Sequence, residues 1–312
     1  MASPLLRIGT RGSPMALVQA HCVAEALRAA HPALADPDAI AVTVIRTTGD
    51  RVQDRTLAEI GGKGLFTKEI DEALLSGAID MAAHSVKDVP TWLPPALTLA
   101  GILPRDDPRD AFVSLTAESL EALPAGAVIG TASLRRQAQI LHRHPRLKVV
   151  PFRGNAGTRL RKLAEGQADA TILGIAGLVR IDEAKAARRV LSPEEMLPAV
   201  GQGAIGVTIR SDDGQARGWL AAINHGPSVT CIAAERALLA ELDGSCRTPI
   251  AGLAEIDAAG RLRLRGLVAT PDGRALHEHE IEGAVADAVR LGTEAGKALK
   301  ARAGAAFLAT LG

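Results

Sequence analysis

Between residues 122 and 164 the chain has no Asp or Glu, yet residues 129–162 (IGTASLRRQAQILHRHPRLKVVPFRGNAGTRLRK) carry seven arginines and two lysines. The whole chain has a formal charge of only +1, so the imbalance is local. A cation buried without a partner costs several kcal/mol. Any fold of this stretch must therefore turn its cations to water or close them with an anion. Arg135 and Arg136 follow a strand-like run (AVIG) and a Thr-Ala-Ser turn, which places them in the first turn of a helix capped by Ser133. Arg153 follows a second such run (KVVPF), and Asn155 can cap the helix GTRLRKLAEG that carries Arg159. Both strand-to-helix junctions present free backbone N–H groups beside guanidinium forks, the arrangement that receives carboxylates or phosphates. Arg143, Arg146, Lys148 and Arg161 flank prolines or lie mid-helix, and read as a solvated basic face or a nucleic-acid patch.

The N-terminal part repeats this design. Residues 5–9 read as a strand, after which Ser13-Pro14 opens a helix with Ser as cap and Pro at the first helical position. Leu17, Ala20, Ala24 and Leu27 recur at helical spacing, and Gln19 falls off that stripe. Ile8-Gly9-Thr10 and Ile129-Gly130-Thr131 both lead into Ser-capped helices, so two lobes of similar design facing a cleft are expected. Residues 40–46 form a second strand. The long polar segment 47–64 has no period and reads as a functional loop of the lid type; its GGKG lacks the spacing of a phosphate-binding loop.

A helix over 66–75 closes at Gly77, and a buried strand over 79–83 leads into His84-Ser85-Val86-Lys87-Asp88-Val89-Pro90. Ligands bind beyond the carboxyl ends of strands in open α/β sheets. In strand-like geometry Lys87 and Asp88 point to opposite sides, which leaves Asp88 as one acid in a cation-rich cleft; a surface ion pair in a turn is the other reading. Strands over 97–103 and 111–115 flank PRDDPRD, the first domain boundary. The Arg-rich lobe runs on through a strand ADATILGIAGL to Arg180. Gly201-Gln202-Gly203 precedes a strand over 204–210 that returns to complete the first lobe. Helices near 215–223 and 229–242, hairpin signals at Ala259-Gly260 and Pro271-Asp272-Gly273, and an Ala-rich helix from 284 predict a small C-terminal domain. The expected fold is α/β with two mixed-sheet lobes plus a small α+β C-terminal domain: 1–104 with 200–222, 105–199, and 223–312.

Aromatic side chains are scarce (two Trp, four Phe, no Tyr), which argues against base-stacking platforms. No stretch reaches membrane-spanning length, and MASPLLRIGT has no apolar signal core. Three cysteines, an odd number, predict a reducing compartment and no disulfide framework. A cytoplasmic protein is expected. Cys22 and Cys231 lie in helices beside apolar residues and read as packing. Cys246 lies between Asp243-Gly244-Ser245 and Arg247-Thr248-Pro249, where an exposed thiol beside an arginine has a lowered pKa and real nucleophilicity. A protease-type role would need an orienting His; His84 and His225 are open for that, with nothing to support them. No His/Cys cluster has metal spacing, so no metal is expected.

The runs RIGTRGSPMALVQA, GGKGLFTKEI, HSVKDVP, DPRDAF, GTASLRRQ, FRGNAGTRLRKL, LPAVGQGAIG and DGSCRTPIAG, in this order over nearly the whole chain, resemble the hydroxymethylbilane synthase (porphobilinogen deaminase) family. The resemblance implies a three-domain enzyme whose first two domains are like the lobes of periplasmic binding proteins. It implies a transferase of heme and tetrapyrrole biosynthesis that joins four porphobilinogen units head to tail with loss of ammonia, and hydrolyses off hydroxymethylbilane. A dipyrromethane cofactor would be held by a thioether at Cys246, with Asp88 as the catalytic acid. Lys87, Ser85, Thr131, Ser133, Arg135, Arg136, Gly154 and Arg159 would bind the cofactor, and Arg11, Ser13, Gln19, Arg153, Arg180 and Gln202 the substrate. Each pyrrole unit adds an acetate and a propionate, which the arginines would hold, and a carboxylate at Asp88 would stabilise the cationic azafulvene left by ammonia loss. The chain departs from the family pattern at Ala132, where Ser is common, at Glu59, where many members have Lys, and at Ser245, where Gly is frequent. Rival readings are a non-catalytic two-lobed binder of a small polycarboxylate, which needs neither Cys246 nor a third domain, and a nucleic-acid-binding protein, which the balanced net charge disfavours. A monomer with no membrane and no nucleic-acid partner is expected.

Overall fold

The computed structural model describes residues 4–48, 67–242 and 248–309. In chain order the elements are β1 (Leu6–Arg11), α1 (Pro14–Ala30), β2 (Ile40–Ile45), α2 (Lys68–Leu75), β3 (Met81–Ser85), β4 (Leu97–Ile102), β5 (Asp110–Ser114), β6 (Val128–Gly130), α3 (Leu134–Arg143), β7 (Lys148–Val150) and α4 (Ala156–Ala164). They continue with β8 (Ala170–Gly174), α5 (Ile175–Arg180), β9 (Arg189–Val190), β10 (Ile205–Arg210), α6 (Gly214–Ala221), α7 (Gly226–Glu241), β11 (Ile250–Ile256), β12 (Arg261–Ala269), β13 (Leu276–Ala284) and α8 (Ala288–Ala309). By contacts the chain divides into two compact units. Of the described residues, one comprises 4–48 and 67–106 with Ala204–Val229; the other comprises Asp107–Gly203 and those from Thr230 on.

The first unit holds a five-stranded sheet in the order β2-β1-β3-β10-β4. β1 runs parallel to β2 and β3, and β10 is antiparallel to both β3 and β4. β10 is thus the return strand expected from the sequence. Alternate side chains fill both faces of the sheet, as buried parallel strands require. Leu6 and Ile8 pack with Val23 and Leu27 of α1 on one face, while Ile79 and Ala82 pack with Ile70 and Leu74 of α2 on the other.

The second unit holds a sheet in the order β7-β6-β8-β5-β9, with β6 parallel to β7 and β8, and β5 antiparallel to β8 and β9. The Ile-Gly-Thr repeat therefore marks equivalent places: β1 and β6 each lie between two parallel neighbours and lead into a Ser-capped helix. The glycine is demanded at both by close packing. A Cβ on Gly9 would lie 2.3 Å from Ile79 Cδ1, and one on Gly130 2.5 Å from the Phe152 ring. The same unit carries the three-stranded antiparallel sheet β11-β12-β13, whose buried face packs on α7 and α8 around Leu238, Leu264, Leu291 and Leu299.

Three local expectations are corrected. ADATILGIAGL is not one strand: β8 ends at Gly174 and Ile175 opens the short helix α5. A continuous apolar run has no period that separates a buried strand from a buried helix. Gln19 lies on the buried face of α1 with Ala16, Ala20, Val23, Ala24 and Leu27, because a partner at Ser85 satisfies its amide. Cys22 is exposed, so packing accounts only for Cys231.

Candidate active site

In the first unit, the carboxyl ends of β1 and β3 and the start of α1 carry six of the expected residues. Ser13 caps α1, accepting from Ala16 N at 3.2 Å, directly after Arg11 closes β1. Gln19 Nε2 donates to Ser85 Oγ at 2.7 Å, and the Ser85 hydroxyl lies 3.1 Å from Gln19 Oε1, so helix and strand end are tied by one side-chain pair. Past Ser85 the chain makes a single 3-10 turn, Val86–Asp88, fixed by Val86 N donating to Ala204 O and Val89 N to Val86 O. Lys87 and Asp88 lie in this turn rather than in the strand-like geometry expected of them: Lys87 is exposed and Asp88 half-buried. Asp88 Oδ2 lies 3.7 Å from Arg11 Nη1, with side-chain exposures of 32% and 20%. The pair is loose and wet enough to leave the carboxylate available to a ligand. His84, buried beneath it, is held near pKa 4 by burial and then by the charge of Arg11, so it is neutral at pH 7.

In the second unit the arginines are ordered by an acid that lies distant in sequence. Arg135 and Arg136, only 4% and 5% exposed, both meet the fully buried Asp110 at the start of β5. Arg135 Nη1 is 2.7 Å from one carboxylate oxygen, and Arg136 Nη2 donates to the other at 2.7 Å. Burial alone would raise the Asp110 pKa; the charges of Arg135 and Arg136 outweigh it and hold the carboxyl well below the usual range. Gln202 Nε2 also donates to this carboxylate, at 2.8 Å, and to Pro108 O at 2.7 Å. Of the two outcomes expected for the cations, water or an anion, these two arginines take the second, and the anion is a carboxylate of the protein itself. Asp110 is the residue that sequence reasoning misses: it stands in DPRDAF, at the domain boundary and among the family runs, but its distance in sequence from the arginines hides the contact.

The Asp110 carboxylate does not satisfy every donor. Arg135 Nε, Arg136 Nε and Arg153 Nη1 are buried without a hydrogen-bond acceptor. Arg159, whose Nε donates to Gly154 O at 2.9 Å, is lowered to about pKa 10 by burial and then by the neighbouring charges of Arg136 and Arg153. Buried polar groups are nearly always paired, so orphaned guanidinium N–H groups among like charges fit an anionic ligand. Ser133 caps α3, accepting from Arg136 N at 3.4 Å, and Thr131 Oγ1 accepts from Ser133 N at 3.2 Å. Asn155 caps α4 as expected, accepting from Thr158 N. Arg180 closes α5 with Nη2 donating to Gly203 O at 2.8 Å. Cys246 and the segment 49–64, including Glu59, lie outside the described residues. No group of His, Cys, Asp or Glu that could hold a metal occurs among the described residues.

Two family models match the chain: "Porphobilinogen deaminase, dipyromethane cofactor binding domain" over residues 6–218 and "Porphobilinogen deaminase, C-terminal domain" over 229–301. A chloroplastic porphobilinogen deaminase of Oryza sativa subsp. japonica is 54% identical over 309 residues, covering 98% of this chain and 86% of that protein. A porphobilinogen deaminase of Nitrobacter winogradskyi is 53% identical over 303 residues, covering 97% and 95%. Among solved structures, a periplasmic substrate-binding protein of an ABC transporter from Coxiella burnetii is similar at 16% identity and TM-score 0.42, over 74% of this chain and 96% of that one. With family models spanning both parts of the sequence and relatives above half identity along nearly its full length, the chain belongs to the porphobilinogen deaminase family.

Proposed function

We propose that Asp88 is the catalytic acid of this enzyme, that Cys246 anchors its dipyrromethane cofactor through a thioether, and that the buried arginines of the second unit hold the carboxylates of the growing product. As a porphobilinogen deaminase, that is, a hydroxymethylbilane synthase, the protein condenses four porphobilinogen molecules head to tail with loss of ammonia. The alternative, a non-catalytic polycarboxylate binder, draws no support from these relatives. The bound dipyrromethane supplies the pyrrole terminus to which the first unit is added.

The observation that carries this reading is the set of buried guanidinium N–H groups without acceptors on Arg135, Arg136 and Arg153, beside the like-charged Arg159. A hydrogen bond to a charged group contributes roughly 1.5–3 kcal/mol. Several such bonds retain an oligopyrrole whose carboxylates increase by two with each unit added. Thr131 and Ser133 keep hydroxyl protons to donate, and Gly154 offers backbone beside Arg159. In the first unit, Asp88 faces the cation that ammonia loss creates and moves protons during that loss. Arg11 steadies the carboxylate without burying it. Ser13, Gln19, Ser85 and Lys87 complete the polar lining there, and Arg180 and Gln202 that of the second unit.

We further infer three domains, 1–104 with 200–222, 105–199, and 223–312, on the support of three separate sheets with their own buried clusters. A cytoplasmic location is inferred from cysteine usage, the absence of a nucleic-acid partner from few aromatics and balanced charge, and a monomer from the lack of a leftover apolar stripe in the sequence. No helix among the described residues is long and apolar enough to cross a membrane. The direct test of the catalytic assignment is Asp88→Asn. Bilane formation should fall by about 10²–10⁴, the usual share of one general acid or base, while the fold persists by circular dichroism. Turnover near that of the wild type would remove Asp88 from its role.

A further inference from the structure

Gln137 closes the LRRQ run, one residue past the arginine pair, and nothing in the proposed chemistry uses it. Its Nε2 donates to Pro271 O, 3.0 Å away, in the turn between β12 and β13. Five residues on along the same helix, His142 Nδ1 lies 2.8 Å from Gly273 O, which makes Nδ1 the protonated ring nitrogen. The turn is itself stiff: Gly273 N donates to Thr270 O, and Asp272 Oδ1 accepts from both Thr270 Oγ1 and Arg274 N. Gly273 has φ 70°, and a Cβ there would stand 2.6 Å from both Ala138 O and His142 N. The turn therefore touches the α3 backbone as only glycine allows.

The rest of the inner face of α3 is fixed to the same sheet. Ala138 is buried with Leu197, Ala251, Leu253, Leu267 and Ala269. Gln139 exchanges two hydrogen bonds with the backbone of Leu197, whose carbonyl also accepts from Arg135 Nη1 at 2.8 Å. The next residue, Pro198, accepts from Gly252 N of β11. At the root of the turn, Ala269 N donates to Pro249 O, three residues past Cys246.

We propose that the turn at 271–273 is a positioning element for Arg135 and Arg136, with Gln137 as the residue through which it acts. It holds the arginine helix in register with β11, the first strand after Cys246 in the sequence, so that the carboxylates of a bound ligand meet the guanidinium pair without rearrangement. The functional part of this inference rests on Cys246 as the anchor.

The test compares Gln137→Ala, Gly273→Ala and the double variant with the wild type. It reads KM and kcat for porphobilinogen, the masses of enzyme-bound oligopyrrole adducts during turnover, and Tm. A loosened helix raises KM by about two- to tenfold, the scale of one neutral hydrogen bond, and shifts the adducts toward shorter chains. Because both substitutions unseat the same turn from α3, Gln137→Ala by removing the bond to Pro271 O and Gly273→Ala by pushing the turn off the helix backbone, the double variant behaves as Gly273→Ala alone. Should Gly273→Ala fail to fold, Gln137→Ala carries the comparison. A lower Tm with KM and adduct masses unchanged, or additive effects on KM in the double variant, overturns the proposal. The mass of the wild-type protein in the same preparation tests the anchor separately: without a dipyrrole at Cys246 that assignment fails, while the KM contrast still reports on the arginine pair.

Discussion

Asp110 decides how the arginines of the second unit can be buried at all. Its carboxylate stands between Arg135 and Arg136, fully buried, and breaking such a pair by removing one partner costs roughly 3–5 kcal/mol. Asp110→Asn should therefore lower stability by that order and change its acid dependence. The folded carboxyl is held below its unfolded value, so its contribution is fully present above the ordinary Asp range, near pH 4, and is lost as pH falls below it. Tm measured from pH 6 downward should fall less steeply in the Asn variant than in the wild type; parallel curves would show that the charge does not contribute. The cysteines separate in the same way. Cys246→Ser should abolish activity, Cys231→Ser should cost stability because Cys231 is buried, and Cys22→Ser should be nearly silent, within about 0.5 kcal/mol, because Cys22 is exposed. Assays of turnover and melting on the three variants check the order. At this scale the helix caps Ser13, Ser133 and Asn155 were legible, since each cap is set by residues within three positions. Asp110 with Arg135, and Gln19 with Ser85, were not: their partners lie far along the chain, and only tertiary packing brings them together.

At the scale of elements, β1 and β6 show how one short motif serves two sheets. Each needs a glycine beneath a bulky neighbour, but the neighbours differ. Gly9 faces the end of the flexible Ile79 side chain, whereas Gly130 faces the flat of the buried Phe152 ring, which cannot turn aside. Gly130→Ala should thus destabilise by about 1–3 kcal/mol, the usual cost of overpacking, and Gly9→Ala by less. Urea melts of the two variants give the order, and an equal or reversed cost would contradict this account of the packing. Strands and capped helices were readable wherever apolar runs ended in Ser, Asn, Pro or Gly. The return strand β10 was readable too, as a strand-like run behind Gly201-Gln202-Gly203. The failure at α5 has a plain cause: residues 170–178 are apolar without period, and Gly174 starts the helix without a capping side chain.

Over the whole molecule, the strand and helix pattern carried the fold class and the ordered motifs carried the family, while the run of arginines without acids pointed to an anion without fixing which one. It did not carry the internal counter-charge or the attachment of the arginine helix to the C-terminal sheet. Both depend on residues more than twenty positions apart. The account as a whole stands on an enzyme that grips a polyanion fastened to its own sulfur. The most direct measurement is the intact mass of the protein as purified from its host, followed by mapping of the peptide that contains Cys246. The account predicts a mass above that of the bare sequence by one dipyrrole, located on that peptide and lost in Cys246→Ser. A protein of bare sequence mass that still makes bilane, or a dipyrrole on any other residue, would contradict it.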